Sequence, residues 1–490
     1  MTMTKENRLL SLIRSGCPMT LRQQLYLVVQ LSIPAVIAQL SSIAMQYIDA
    51  SMVGSLGAEA SASIGLVSTT TWLFWGLCTA AATGFSVQVA HHIGAGNLEA
   101  ARSVLRQSIV ATLLFSVLLA AIGVGISGVL PGWLGGNRSI AGGASVYFLI
   151  FILSLPALQL NFLAGGMLRC SGNMHVPSML NVLMCGLDVV FNMVLIFPSR
   201  EVSCWGFIFP LPGVGLGIAG AALGTALAEL VTAVLMMGFL CRYSPELRLY
   251  HTSSKKVDTF RKCSFLKVFL PRSNSLLKAL RIGLPMGCEH IILCGAQILT
   301  TVIVAPLGTY AIAANAFAIT AESLCYMPGY GIADAATTLV GQSLGAGRRG
   351  LMRRFAYITV SMGMVVMTLM GVVMYLAAPL MMALMTPDPE IRSLGVMALR
   401  VEAFAEPMFA ASIVAYGVFV GAGDTLLPSV MNLFSIWAVR LTLAACLAST
   451  MGLQGVWMAM CVELCFRGII FLVRLRGEKW MNKGKMFLES

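Results

Sequence analysis

The chain has 490 residues, of which 58% are hydrophobic and only 11% charged, with 32 Lys and Arg against 20 Asp and Glu. Ordinary soluble domains carry about 25% charged residues, so this composition excludes a water-soluble globular protein. The net charge of +12 is split among the joints between apolar runs, which argues against nucleic acid as a partner and for a lipid bilayer.

The opening MTMTKENRLLSLIRSGCPMTLRQQ (1–24) is basic. No apolar stretch with a small-residue cleavage site follows it, so the first apolar segment is expected to be a retained span. Segments long enough for the ~20 residues that a helix needs to cross a bilayer then recur, among them VATLLFSVLLAAIGVGISGVL (110–130) and YITVSMGMVVMTLMGVVMYLAAPLMMALM (357–385). Short alternating segments of the strand-barrel kind are absent. Twelve helical spans are predicted, centred near residues 40, 75, 115, 155, 187, 228, 292, 325, 367, 408, 438 and 463. Basic residues gather at both ends of the chain, after the second and eighth spans, and over 241–281, where ten Lys and Arg face two acids. The alternate loops hold few, chiefly Arg138, Arg200 and Arg392. By the positive-inside rule both termini and the central loop are cytoplasmic in a multi-pass protein of the plasma (bacterial inner) membrane. The 13 cysteines include no C-x-x-C pair, which argues against a disulfide or metal framework.

The chain repeats itself. Shifted by 251 residues, Pro34 falls on Pro285, Gln46 on Gln297, VAHHIGAG (89–96) on VGQSLGAG (340–347), and GNMHVPSMLN (172–181) on GDTLLPSVMN (423–432). The register slips near the sixth span, where 198–213 form a longer outward loop, and returns as GIAG (217–220) against GLQG (452–455). The expected fold class is therefore an all-α polytopic membrane protein with two six-helix lobes: 1–240, a basic cytoplasmic linker over 241–278, and 279–490. Six spans is an even number, so both lobes enter the membrane alike. They would be related by a pseudo-two-fold axis along the membrane normal, with a cavity between them, the plan of an alternating-access transporter.

The G-x-G-x-x-G of GLGIAG (215–220) opens a span and follows no strand, so it reads as close helix packing and not as a dinucleotide site. The GAG triplets at 94–96 and 345–347 read as tight helix exits. No metal or catalytic motif appears, and neither enzyme chemistry nor a cofactor is expected.

Five motifs, MQYIDASMVGSLG (45–57), GAGNLEAAR (94–102), LRCSGNMHVPSMLN (168–181), LVGQSLGAG (339–347) and GAGDTLLPS (421–429), resemble the multidrug and toxic compound extrusion (MATE) transporters of the multidrug/oligosaccharidyl-lipid/polysaccharide exporter superfamily. The likeness runs from about residue 25 to 475. It implies an antiporter, acting as a single copy, that expels organic, often cationic, compounds in exchange for H⁺ or Na⁺. A lipid-linked precursor flippase of the same superfamily is the alternative. It would need a large cationic cavity, and the spans offer only Arg440 well inside the membrane. A non-transporting membrane protein is the remaining reading.

Ionisable residues inside spans carry the functional signal, because an acid at mid-bilayer costs about 3 kcal/mol on insertion scales. Asp49 lies late in the first span. Asp188 and Asn192 are one turn apart in the fifth and share a face, with Asn181 roughly on it. Their oxygens suit a hard cation such as Na⁺, or a carried proton. In one branch of the resembled family the cation site lies in the amino-terminal lobe, on an Asp of the first helix, an Asn and an Asp of the fifth and a Thr of the sixth. Asp49 and Thr225 match the outer members, whereas Asp188 and Asn192 stand in reversed order. Another branch places acids on the seventh and tenth helices, at Leu293 and Phe409 here; Glu289, Glu402 and Glu406 lie about a turn away as secondary coupling candidates. Arg440 is expected to pair with Glu463 or Glu289, or to face the cavity. Glu229, Glu322 and Glu463 are expected nearer helix ends, and His91 solvated at one. Gln46, Tyr47, Trp72, Asn181, Met286, Gln297 and Tyr326 are the expected substrate-cavity lining, since aromatic faces and Met accommodate organic cations. Asp49 has Thr300 as its counterpart in the repeat, so the leading acid belongs to one lobe alone.

Overall fold

The structure, a computed structural model, describes residues 5–204, 207–249 and 273–483. It is almost wholly helical. In chain order the helices are α1 (Lys5–Arg14), α2 (Leu21–Gly54), α3 (Ala58–Gly94), α4 (Leu98–Ile126), the short α5 (Leu130–Trp133), α6 (Arg138–Ser171), α7 (His175–Leu195) and α8 (Ile218–Arg242). The second half holds α9 (Ser273–Val304), α10 (Thr309–Gly345), α11 (Arg349–Met385), α12 (Pro389–Glu402), α13 (Glu406–Gly421), α14 (Leu426–Met451), α15 (Leu453–Arg476) and α16 (Lys479–Lys483). Ten of these are long and apolar enough to cross a bilayer, and α12 with α13 makes an eleventh span bent by 62°. The 37-residue α10 is the twelfth membrane-length segment. At 1.5 Å per residue a 34-residue helix is about 50 Å long, more than the ~30 Å hydrocarbon core, so its ends project from it.

Local signals set the boundaries. Thr20 and Gln23 form a reciprocal capping box at the start of α2, with Thr20 N donating to Gln23 Oε1 at 2.9 Å and Gln23 N to Thr20 Oγ1 at 3.3 Å. Asp388 Oδ1 caps α12 by accepting from Glu390 N at 2.9 Å and Ile391 N at 3.2 Å. The GAG triplets end α3 and α10 as expected, with Gly96 at φ +73° and Gly347 at φ +68°, a left-handed turn that glycine takes without strain. The break between α12 and α13 has a covalent cause. Pro407 sits in the first turn of α13 and has no N–H to carry the helical ladder back across residues 403–405.

The described residues form two compact units. One comprises 41–89, 98–249 and 273–280; the other comprises 5–40, 90–97 and 281–483, so the division passes through α2 and α3. The first unit is packed around Val67, Phe74, Cys78, Phe148, Ile152 and Leu155. The apolar clusters of the second include one around Ala314, Met374, Leu399 and Trp457 and another around Ala336, Phe419, Phe471 and Trp480. Lipid tails are as apolar as Leu, so helices in a bilayer associate through small residues that let backbones approach. A methyl at Gly220 of α8 would overlap the Leu195 carbonyl at the end of α7, and one at Gly417 would lie 2.7 Å from the Ala333 carbonyl of α10.

Three features depart from the expectations. The loop at 198–213 forms two antiparallel strands, β1 (Pro198–Cys204) and β2 (Phe207–Val214), with Pro198 opposite Val214 and an irregularity between Pro198 and Arg200, so GLGIAG (215–220) does follow a strand, contrary to expectation, though an antiparallel one. The basic amino-terminal segment contains a helix, α1, and residues 435–441 of α14 widen into a π-helix. Of the basic linker, 250–272 lie outside the described residues.

Candidate functional site

In the first unit α7 presents Asp188 and Asn192 one turn apart, and α2 brings Asp49 to meet them. Asn192 Nδ2 donates to Asp49 Oδ1 at 2.9 Å and to Asp188 Oδ2 at 3.0 Å. A single amide thus bridges two carboxylates from different helices. Asp188 and Asn192 are 0% and 1% exposed, and Asp49 is half-buried. Asp188 Oδ1 and Asn192 Oδ1 are buried and accept no hydrogen bond among the described residues. On α8, Thr225 lies beside Asp188, its hydroxyl bonded to the Ala221 carbonyl at 3.2 Å. Gly224, its neighbour, has no side chain because Asn192 fills that space: a methyl there would overlap Asn192 Oδ1.

The four residues named from the sequence therefore converge. With the two residues in reversed order the set is still complete: the Asn192 amide bonds both acids, and Asp188 lies beside Thr225. Neither carboxylate pairs with a cationic side chain among the described residues. One fully buried acid with an unbonded oxygen and one half-buried acid, bridged by a neutral amide, favour a nearby positive charge, because an uncompensated buried ion costs several kcal/mol. Carboxylate, amide and hydroxyl oxygens are the hard donors that suit an alkali cation. In the second unit Thr300, the counterpart of Asp49, bonds its own helix at Ala296 O, 3.0 Å.

Among the secondary candidates, Glu289 of α9 is buried and accepts from Tyr416 Oη and Asn432 Nδ2, each at 2.7 Å. Glu402 and Glu406 flank the α12–α13 break, fully buried, and none of their four oxygens accepts a hydrogen bond. Glu322 of α10 lies within electrostatic range of them and is itself buried, not at a helix end.

Arg440 pairs with Glu463: Nη2 is 2.9 Å and Nε 3.1 Å from Oε2. Glu463, expected nearer a helix end, is 0% exposed in the middle of α15. Its second partner, Arg467, went unnoticed in the sequence. Arg467 Nε and Nη2 reach the two carboxylate oxygens at 2.7 and 2.8 Å, and Ser435 Oγ adds a bond at 2.6 Å. The signal for Arg467 was there, an i,i+4 Glu–Arg pair inside an apolar helix. His91, expected to be solvated, is buried with Nε2 2.8 Å from the Gly421 carbonyl.

The expected cavity residues are spread over both units. Gln46 and Trp72 are exposed, and Tyr47 and Asn181 half-buried, in the first unit. In the second, Gln297 is exposed and Met286 buried, while Tyr326 meets Tyr330 and Phe409 edge to face at 6.0 and 5.5 Å.

Comparison with known proteins identifies the lineage. The MatE family model matches residues 34–194 and again 285–446, one block in each half, their starts offset by the same 251 residues as the internal repeat. The chain belongs to the MatE family. A probable multidrug resistance protein NorM of Thermotoga maritima is 25% identical over 471 residues, 94% of each chain. Another of that name from Agrobacterium fabrum is 24% identical over 462 residues, 91% of this chain and 92% of the relative. A multidrug resistance MATE family transporter of the MOP superfamily, solved in an outward-facing conformation, is 20% identical with a TM-score of 0.84, each chain covered in full. A MATE in the straight conformation gives 21% and 0.82. The MatE fold, twelve helices in two lobes, is thus the fold of this multi-pass membrane protein.

Proposed function

We propose that this chain is an antiporter that exports organic, cationic or amphiphilic compounds across the plasma (bacterial inner) membrane, both termini cytoplasmic, driven by inward movement of H⁺ or Na⁺. The observation that carries the reading is the Asn192 amide held between Asp49 and Asp188, with two buried oxygens left unpartnered among the described residues. Such a group binds a small cation strongly and is rearranged when it does, since the amide must yield one of its acceptors or turn its own oxygen inward. Alternation then follows from competition: the unit loaded with the ion and the unit loaded with the exported compound hold these helices differently, and each ligand favours release of the other. The multidrug resistance names of the relatives support the class of exported compound. The flippase alternative calls for free positive charge within the spans, whereas Arg440 and Arg467 are both engaged by Glu463.

The test is efflux of a fluorescent organic cation from proteoliposomes under an imposed Na⁺ or pH gradient. One of the two gradients should drive export, and Asp49→Asn and Asp188→Asn should each abolish it. Full gradient-driven export by either variant would overturn the coupling role.

A further inference from the structure

A second acid stands one helical turn from this group in the same unit. Glu229 follows Thr225 by four residues on α8, and Met184 precedes Asp188 by four on α7, so both fall on the faces that carry the first site. Asn161 of α6 closes the space between them. Its Nδ2 donates to Glu229 Oε2 at 2.7 Å and lies 3.6 Å from Met184 Sδ. Asn161 is buried and Glu229 half-buried. Glu229 also lies within the electrostatic range of Asp188, and no described cationic side chain pairs with it. Both steps lead the same way along the unit, toward the ends where α6 and α8 finish and α7 begins.

The coupling reading above leaves this acid without a task. A half-buried carboxylate, bonded by one neutral amide, persists in a membrane segment only where something offsets its cost, and intramembrane acids mark ion pathways. The geometry points to Glu229, with Asn161, as a second station for the coupling cation, one turn or about 5.4 Å along the helices from Asp188. The inference rests on the first site being the coupling site. The ion leaving Asp188 is received by the Glu229 carboxylate, so one acid takes up the positive charge the other releases. Asn161 positions the carboxylate. The Met184 thioether, too soft a ligand for an alkali cation, keeps the far wall apolar.

The experiment uses the full chain reconstituted in liposomes, with Glu229→Gln, Glu229→Asp and Asp49→Asn beside wild type. Two quantities are measured for each: turnover of organic-cation efflux under a saturating Na⁺ or pH gradient, and equilibrium ion binding without the organic compound, by Na⁺ calorimetry and by proton uptake in weak buffer. Glu229→Gln is expected to slow turnover by about a hundredfold, the lower end for loss of a positioned proton-transfer group, while ion binding at the first station persists. Glu229→Asp is expected to restore most of the turnover. The arm in which binding is detected tells Na⁺ from H⁺. Wild-type turnover in Glu229→Gln overturns the second station. So does a loss of turnover matched by loss of all ion binding and not relieved in Glu229→Asp, which is the mark of a merely structural residue. Normal coupling in Asp49→Asn instead overturns the first site, so the two failures are told apart.

Discussion

Gly224→Ala is a steric probe of the cation site that leaves every oxygen of it in place. The added methyl would overlap Asn192 Oδ1 and approach Asn192 Cγ to 3.0 Å and its backbone N to 3.1 Å. The helices have little room to part, because Gly220, one turn earlier, already lies against the Leu195 carbonyl. Two responses remain. The amide can turn away from Asp49 and Asp188 and forfeit hydrogen bonds worth about 1.5–3 kcal/mol each to charged groups, or the overlap can be absorbed as overpacking at about 1–3 kcal/mol. The cheaper response governs. At 1.4 kcal/mol per factor of ten, about 1–3 kcal/mol corresponds to ion binding weaker by roughly 5- to 150-fold. The ion concentration giving half-maximal efflux, together with a calorimetric isotherm, reads the change directly. Gly238→Ala on the same helix meets nothing within 4 Å, and should leave ion affinity unchanged. Wild-type affinity and export in Gly224→Ala would refute the arrangement of Asn192 between the carboxylates.

Removing one partner of a buried ion pair costs about 3–5 kcal/mol, so Arg467→Met should lower the melting temperature sharply. Arg440→Met should lower it less, its contacts to Glu463 being longer and its side chain 19% exposed against 11%; equal or inverted losses in a detergent melting assay would contradict this ranking. Gly345→Ala drives a methyl into the His91 carbonyl, whereas Gly350→Ala meets open space. The first should lose about 1–3 kcal/mol of stability and the second none, as thermal aggregation of the two variants would reveal. Asp388→Ala removes the cap of α12 at a cost of about 1 kcal/mol, visible as faster amide exchange at Glu390 and Ile391 with transport unaltered.

Much of this was legible without coordinates. Helical hydrogen bonding is local and lipid tolerates no unpaired backbone, so apolar length located the twelve spans to within a few residues. The repeat, a property of the letters alone, accords with the two blocks that the family model matches. Asp49 and Asp188 stood out because an acid in a greasy segment is too costly to be incidental, and the turn between Asp188 and Asn192 put those two on one face; that Asp49 and Thr225 join them was implied by the resemblance to the MATE transporters. The 198–213 strand pair was not legible, since its β pairing depends on register between two short segments and not on any local period. Nor was the α12–α13 bend, although Pro407 marked it in hindsight.

Charge pairing is where the letters ran out. Sequence established that Arg440, Glu463, Glu289 and Glu229 lie in apolar helices, and that Asp49 has no acidic counterpart in the repeat. Only the packed helices decided that Arg440 and Arg467 share Glu463, that Glu289 is held by Tyr416 and Asn432, and that Asn161 bonds Glu229. The physical reason is range. A helix dictates its own face through contacts three and four residues apart, whereas a buried charge is satisfied by whichever distant helix turns a partner toward it. That choice rests on the rotation and spacing of neighbours, set here by small residues such as Gly224 that no local pattern distinguishes from any other glycine.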